Sequence, residues 1–188
     1  FAFNCESVQE LEVINEMAGQ KGKTAHVALR LNPNVDPETH LYITTGLNDN
    51  KFGISLSGLD VIFNKHQEWK NIKIEGIHFH IGSQVNAISV IKEAMREASQ
   101  IYVELVSLGA PMGYLDVGGG LGVDYDGSKT SSQGSKNYSI QNYANDVVAY
   151  VKDACVAREV PMPTLVSESG RAIASHQSVL IFDVLGTS

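Results

Sequence analysis

The sequence lacks the features that mark several large classes of protein. It has no apolar run long enough to cross a bilayer, and its 14 lysines and arginines are outnumbered by 21 aspartates and glutamates. We therefore expect neither a membrane span nor a nucleic-acid surface. Its two cysteines, Cys5 and Cys155, have no metal-binding or redox spacing, which indicates reduced thiols and a cytoplasmic protein. Phe1 to Asn4 carry no signal-peptide pattern and are predicted to belong to a strand.

What the sequence does contain is a regular alternation of strand and helix patterns. With 43% hydrophobic residues in 188, one domain with a substantial core is expected. Strands are predicted at 26–31, 71–79, 115–117, 164–166 and 178–185, and the helices between them begin near residues 7, 57, 89 and 138. This spacing predicts an α/β protein with a parallel sheet. Periodicity does not separate a closed barrel from an open sheet, but polar clusters follow strand after strand, which favours a barrel.

The most unusual stretch runs from Leu115 to Gly122. It places three consecutive glycines, Gly118 to Gly120, directly after a short apolar strand, with Gly122 two residues further on. Consecutive glycines weaken regular structure, and they are typical of places where backbone must come close to another group. Two interpretations stay open: a tight strand-to-helix turn without a ligand, or a cradle of N–H groups for an anion such as phosphate.

Other strand ends also carry candidate functional residues. Arg30 lies inside an apolar strand, where its charge requires either an internal ion pair or a bound anion. His78 and His80 alternate with Phe79 and so share one face of a strand. They are either metal ligands or hydrogen-bonded core residues. Ser83 either donates to a phosphate or simply ends the strand.

A second charged cluster follows the strand at 164–166. Glu168 and Arg171 flank Gly170, and they either pair with each other or serve a ligand. Together with the triple glycine and a flat imidazole, this set matches what pyridoxal phosphate requires: two anion-binding elements, a carboxylate for the pyridine nitrogen and a stacking partner.

Three motifs resemble one known family. The motifs are HFHIGSQ (78–84), DVGGGLGVDY (116–125) and ESGRA (168–172). They resemble the alanine-racemase-like barrel of the pyridoxal-phosphate decarboxylases that act on ornithine, diaminopimelate and arginine. The resemblance implies a partial TIM-type (β/α)8 barrel over residues 1–188, formed as a single cofactor-binding domain.

The resemblance also implies a role for individual residues. His80 is expected to stack on the cofactor ring and Glu168 to pair with its pyridine nitrogen, so these two are the expected catalytic residues. The remaining cofactor-binding residues are expected to contact the phosphate or to lie near the cofactor: Ser83, Gly119, Gly120, Gly170, Arg171 and Arg30. No resident metal is expected.

The two halves of the chain resemble different relatives. Residues 1–80 are most similar to diaminopimelate decarboxylase, and residues 84–188 to biosynthetic arginine decarboxylase. Two features of the family are not found: the cofactor-binding lysine in a Lys-Ala-Asn-like motif, and the C-terminal β-domain with its cysteine-containing motif. The lysines present, Lys51 included, do not match that motif. We therefore expect a fragment of a longer enzyme that lacks the early strands and is inactive alone.

The expected reaction of the parent enzyme is removal of an α-carboxylate from a basic amino acid. Conversion of arginine to agmatine, in polyamine biosynthesis, is favoured over conversion of meso-diaminopimelate to lysine. The parent is expected to be a homodimer or higher homo-oligomer with shared active sites. Two alternatives of other classes are a metal-dependent barrel hydrolase using His78 and His80 with Asp116 or Glu168, and a non-catalytic cofactor-binding protein.

Overall fold

Five short strands alternate with helices along the chain. In the computed structural model, residues 2–33, 52–125, 127, 135–175, 177–178, 181 and 183 are described. The strands are β1 (Phe3–Cys5), β2 (Ala25–Arg30), β3 (Ile72–His78), β4 (Tyr114–Asp116) and β5 (Thr164–Val166). The helices are α1 (Val8–Gln20), α2 (Leu56–Lys65), α3 (Ile88–Ser107), α4 (Ile140–Ala157) and α5 (Gly170–Ala174), with a short 3-10 turn at His66–Glu68 after α2.

All five strands are parallel, and their order in the sheet is their order in the chain. A doubly wound open sheet reverses its strand order at a switch point, and the described sheet contains no such reversal. Successive parallel strands joined by helical crossovers produce the wall of a (β/α) barrel. The predicted α/β barrel-type sheet is therefore confirmed.

The sheet is also strongly curved, because its first strand reaches the end of its last. Adjacent strands lie about 4.8 Å apart, so the first and fifth strands of a flat sheet would be separated by roughly 19 Å. The side chain of Asn4 on β1 nevertheless hydrogen-bonds that of Glu168 after β5, at 3.3 Å. The strands thus enclose a concave face, as the inside of a barrel wall does.

Alternate residues of the strands face the helices and form the core. Val27, Leu29 and Leu115 are fully buried, and Ile77 is nearly so. Burial of one such side chain contributes about 1.5–3 kcal/mol. The intervening residues of β2, including Ala28, face the concave side. The core therefore lies between sheet and helices and leaves the concave face for polar groups.

The helix patterns of the sequence are largely confirmed. Glu10 follows Ser7 by three residues, which is the spacing of a capping box, and Ser7 caps α1 by accepting the Glu10 N–H at 3.2 Å. The predicted buried stripe of α4 is Tyr143, Val147, Val151 and Ala154. The last three are buried, and Tyr143 is partly buried.

The sequence predicts an apolar stripe on α1 made of Leu11, Ile14, Met17 and Ala18, and Met17 does not follow it. Met17 is 53% exposed, while Leu11 and Ala18 are buried. The sheet therefore covers only part of the apolar face of this helix.

Some sequence predictions fall on residues outside those described. Most of the strand predicted at 178–185, most of the Gly- and Ser-rich loop after Asp124, and Lys51 are among them. Within the described parts of the chain, no helix combines the length and apolar character needed to cross a membrane.

Candidate functional site

The end of β3 places two histidines on the concave side of the sheet. His78 is 4% exposed, and Phe79, next to it, is buried in the core. His80 is half-buried, and its Nδ1 accepts the N–H of Gly119 at 3.4 Å. Burial, followed by the charges of Arg30 and His78, lowers the pKa of His80. His80 is thus a neutral imidazole whose proton we assign to Nε2.

The triple glycine lies where three strand-end loops meet. A Cβ atom at Gly118 would be 2.1 Å from the Phe79 carbonyl oxygen, and one at Gly120 would be 1.8 Å from that of Gly82. At Gly119 it would be 2.5 Å from the carbonyl oxygen of Glu168. Contacts this short exclude any side chain. The close backbone approach expected from the sequence is therefore made between loops of this chain.

Two of the three glycine N–H groups already have partners within the chain. Gly118 donates to Oδ1 of Asp116 at 2.9 Å, and Gly119 donates to His80. The turn is therefore well ordered without a ligand, and an anion would be bound at its edge by the groups that remain.

Two side chains that the sequence patterns did not single out hold these loops together. The Gln84 amide donates to the Val123 carbonyl at 2.6 Å and accepts the Val123 N–H at 3.1 Å. The Tyr138 hydroxyl accepts the N–H of Gly122 at 2.9 Å. Gln84 has a positive φ of 57°, which is uncommon for a non-glycine residue. Gln84 could have been singled out from the sequence because it is the last residue of the HFHIGSQ motif.

A polar cluster occupies the concave face beside the glycine turn. Asp116 is 7% exposed, and its Oδ2 lies 3.0 Å from Nδ1 of His78. Asn4 Nδ2 donates to Asp116 Oδ2 and to Glu168 Oε1, each at 3.3 Å. Ligating atoms of His78, Asp116 and Glu168 lie within 4.8 Å of one another. Asn4 was missed by the sequence analysis, because its partners lie more than a hundred residues away.

Burial and hydrogen bonding have opposite effects on Asp116. Burial alone would raise its pKa, but the adjacent His78 imidazole, the Gly118 N–H and the Asn4 amide together lower the pKa below its ordinary value. Asp116 is therefore a buried, ionised carboxylate at neutral pH. It gives the concave face a fixed negative charge.

Arg30 has an intramolecular partner. Its guanidinium forms an ion pair with Glu6 and lies 5.2 Å from the centroid of the Phe52 ring. Of the two interpretations left open by the sequence, the internal ion pair is the one observed.

The other candidate residues are partly or fully exposed. Ser83 is partly exposed after Gly82, and Gly170 and Arg171 are exposed at the start of α5. Among the described residues, Glu168 and Arg171 form no ion pair with each other. The structure thus brings Glu168, His80, Gly119 and Gly120 close together and leaves Gly170 and Arg171 at the edge.

A cavity of about 440 Å³ opens on the concave face. Its polar lining includes Asn4, Asp116 and Glu168, and its apolar lining includes Val166 and Ala28. This volume is within the range of small-molecule and cofactor sites. A carboxylate pair on one side, a neutral imidazole nearby and a side-chain-free glycine turn fit the ring and phosphate of pyridoxal phosphate.

Comparison with known proteins gives a consistent result. The family model described as "Pyridoxal-dependent decarboxylase, pyridoxal binding domain" matches residues 2–175. The chain is 51% identical to the biosynthetic arginine decarboxylase of Nostoc over 184 residues, which is 97% of this chain and 27% of that protein. It is 77% identical to that of Thermosynechococcus vestitus over 112 residues, or 60% of this chain and 18% of that protein.

Solved structures resemble the chain equally clearly. Diaminopimelate decarboxylase from Helicobacter pylori, in complex with L-lysine, superposes with a TM-score of 0.75 and 32% identity, over 92% of this chain and 40% of that one. The biosynthetic arginine decarboxylase of Campylobacter jejuni gives a TM-score of 0.71 and 32% identity, over 89% of this chain and 26% of that one. The chain spans about a quarter of the length of the curated arginine decarboxylases that match it along nearly all of its residues.

Proposed function

The chain belongs to the pyridoxal-dependent decarboxylase family, and from that premise we propose that it forms the cofactor-binding barrel domain of an amino-acid decarboxylase. We propose one such partial domain over residues 1–188. The observation that carries the proposal is that the ends of three strands meet, with Glu168 next to the glycine turn and also in the lining of the concave cavity. Glu168 follows β5, the glycine turn follows β4, and His80 follows β3.

Each of these groups has a defined task toward the cofactor. When bound, pyridoxal phosphate supplies an electron-accepting ring that takes up the electron pair left as a carboxylate departs as carbon dioxide. Glu168 accepts a hydrogen bond from the ring nitrogen and keeps its proton in place. His80, neutral and half-buried, presents a flat face to the ring without competing for that proton.

The phosphate would be held beside the glycine turn. Gly119 and Gly120 would contribute backbone rather than side-chain contacts, because the space that a side chain would need is taken by the carbonyl oxygens of Glu168 and Gly82. Gly170 and Arg171, at the start of α5, supply N–H and guanidinium donors from the opposite side, and Ser83 adds a hydroxyl. Arg30 contributes from a distance, since its guanidinium is engaged with Glu6.

The proposed substrate of the parent enzyme is arginine, which is converted to agmatine. Support comes from the relatives, which are arginine decarboxylases at 51% identity over 97% of this chain. The likeness to diaminopimelate decarboxylase structures makes conversion of meso-diaminopimelate to lysine the second substrate to test. We further propose a cytoplasmic homo-oligomer acting in polyamine biosynthesis.

A segment exchange tests the reaction. The matching segment of the Nostoc arginine decarboxylase is replaced by this chain, and carbon dioxide release is measured from carboxyl-labelled arginine and meso-diaminopimelate. Release from arginine alone is expected. Release from diaminopimelate alone would reverse the substrate assignment.

Cofactor binding by the chain itself is tested separately. Equilibrium dialysis with pyridoxal phosphate is expected to show one saturable site that Glu168→Gln weakens. Absence of binding in the folded chain would contradict the cofactor assignment itself.

A metal-dependent hydrolase is the second candidate, and one observation favours it. His78, Asp116 and Glu168 could place three ligand atoms around one ion. His80, which the sequence alternative included, is not part of this group. Metal analysis of the purified protein decides: one tightly bound zinc per chain, lost in Asp116→Asn, would favour the hydrolase.

A further inference from the structure

The concave face contains one contact that links its two carboxylates. Asn4 Nδ2 lies 3.3 Å from Asp116 Oδ2 and 3.3 Å from Glu168 Oε1. We propose that Asn4 is a positioning residue: it ties Asp116 to Glu168, so that both carboxylates stabilise one cationic ring nitrogen in the cavity. The inference rests on the proposed function, because it names what orients the Glu168 carboxylate toward the cofactor ring.

The orientation of the Asn4 amide follows from its surroundings. A primary amide has two N–H donors and one carbonyl acceptor. Both neighbours of Nδ2 are carboxylate oxygens, and exchanging the amide nitrogen and oxygen would bring three acceptors together. The amide therefore directs one proton to each carboxylate and holds them in a common arrangement.

Glu168 depends on this contact more than Asp116 does. Asp116 is buried and is also held by the Gly118 N–H at 2.9 Å. Glu168 is exposed, and the Asn4 amide is its one side-chain hydrogen-bond partner among the described residues. A glutamate side chain that is free to rotate must be ordered before it can bind a ligand nitrogen in one direction. Asn4 supplies that order in advance.

Asp116 contributes charge rather than direct contact. The adjacent His78, the Gly118 N–H and Asn4 lower its pKa despite burial, so it stays ionised. Two carboxylates within 4.8 Å of each other repel unless a positive charge lies nearby. A protonated pyridine nitrogen beside Glu168 supplies that charge. Asp116 therefore favours the protonated ring even though Glu168 is the group that touches it.

The probe for the test is pyridoxine 5′-phosphate, which has the ring nitrogen and the phosphate but no aldehyde to react with lysine. Its ring-nitrogen pKa is measured when bound, from the ultraviolet absorbance of the saturated complex against pH. Asn4→Ala is expected to lower that pKa by about one unit, a tenfold change in protonation equilibrium. It is also expected to weaken binding at neutral pH about tenfold. Glu168→Gln is expected to lower both more strongly.

The matched control is Asn145→Ala, which removes an exposed asparagine of α4 that hydrogen-bonds only Gln141 among the described residues. It is expected to leave both quantities unchanged. A purely structural role for Asn4 would lower the free energy of unfolding without moving the ring-nitrogen pKa, and that result would overturn the inference. If wild-type protein does not bind the probe, the cofactor site and the inference both fail. If Glu168→Gln shifts the pKa and Asn4→Ala does not, only the inference fails.

A second measurement needs no ligand. In the amide NMR spectrum of the cofactor-free protein, the Asn4 side-chain NH2 resonances are expected to move when Glu168→Gln replaces a charged acceptor by a neutral one. Unchanged resonances would show that Asn4 and Glu168 are not in contact in solution, and would overturn the proposal.

Discussion

Tyr138 donates its hydroxyl proton to the backbone carbonyl of Val85, at 2.6 Å. The same oxygen accepts the N–H of Gly122 at 2.9 Å. The buried Tyr138 side chain thus joins the loop after β3 to the loop after β4, which contains the glycine turn. Burial raises the pKa of Tyr138 to about 12, so the hydroxyl remains a donor throughout the neutral range.

Tyr138→Phe is expected to destabilise the fold. It removes both hydrogen bonds of the hydroxyl, while the Gly122 N–H and the Val85 carbonyl keep the bond that they make to each other at 3.1 Å. Neither group is left unsatisfied, so the expected loss is about 0.5–1.5 kcal/mol of unfolding free energy per hydrogen bond removed. Urea denaturation followed by circular dichroism measures the change. Tyr150→Phe is the control, because among the described residues its hydroxyl makes no hydrogen bond. Equal stability of the two variants would mean that the Tyr138 bonds do not form in solution.

Gly120→Ala is expected to be more damaging than any substitution at the exposed Gly170. Gly120 has a φ of 84°, and an added Cβ would lie 1.8 Å from the Gly82 carbonyl oxygen. The left-handed conformation costs about 1–2 kcal/mol for a residue with a side chain, and relieving the clash adds roughly 1–3 kcal/mol. Thermal unfolding checks this.

Gly170→Ala provides the comparison, since no heavy atom lies within 4 Å of its added Cβ. Its effect on stability is expected to stay within about 0.5 kcal/mol. If Gly120→Ala were equally mild, the close approach of the two loops would be absent in solution.

The stability of the protein is expected to depend on pH through His80. Its pKa is lowered in the folded state by burial, then by Arg30 and His78, from the ordinary value of 6.5. Below about pH 6.5 the unfolded chain therefore takes up a proton that the folded chain does not, and stability falls as the pH decreases toward the folded-state pKa. Above pH 6.5 both states are neutral and this contribution is constant.

His80→Gln removes this contribution while keeping a side chain that can accept the Gly119 N–H. Urea denaturation at intervals from pH 7.5 to pH 5 is the measurement. The wild-type free energy of unfolding should fall more steeply than that of the variant over the acidic part of this range. Parallel curves would show that His80 titrates alike in both states.

Local patterns predicted the fold well, and the contacts within the site less well. The compact run from His26 to Leu31 predicted a strand, which the structure has at Ala25–Arg30. The glycine turn was predicted from its three consecutive glycines. Its partners, the carbonyls of Phe79 and Gly82, were not predicted, because a loop-to-loop contact leaves no periodic signal. Asn4 was missed for a related reason: only the curvature of the sheet brings it to Asp116 and Glu168.

Arg171 is expected to determine how strongly the site prefers a phosphate ester. It is exposed at the start of α5, three residues after Glu168, which lines the concave cavity together with Asp116. The positive charge of Arg171 suits the phosphate of pyridoxine 5′-phosphate, and the negative charges of Asp116 and Glu168 suit its protonated ring nitrogen. Arg171→Gln should therefore weaken binding of this ligand about threefold to tenfold. The effect is limited because an ion pair at an exposed site contributes little binding free energy. It should leave the binding of pyridoxine, which has no phosphate, unchanged.

The ratio of the two dissociation constants, measured by ligand fluorescence, isolates the phosphate contact from any change in folding. Arg158→Gln is the control, because it removes an exposed arginine at the C-terminal end of α4 and should leave the ratio as it is. The effect of Arg171→Gln should shrink at high salt, since screening weakens an exposed charge pair in the wild type. A ratio unchanged by Arg171→Gln at low salt would remove Arg171 from the phosphate site and leave the glycine turn as its main element.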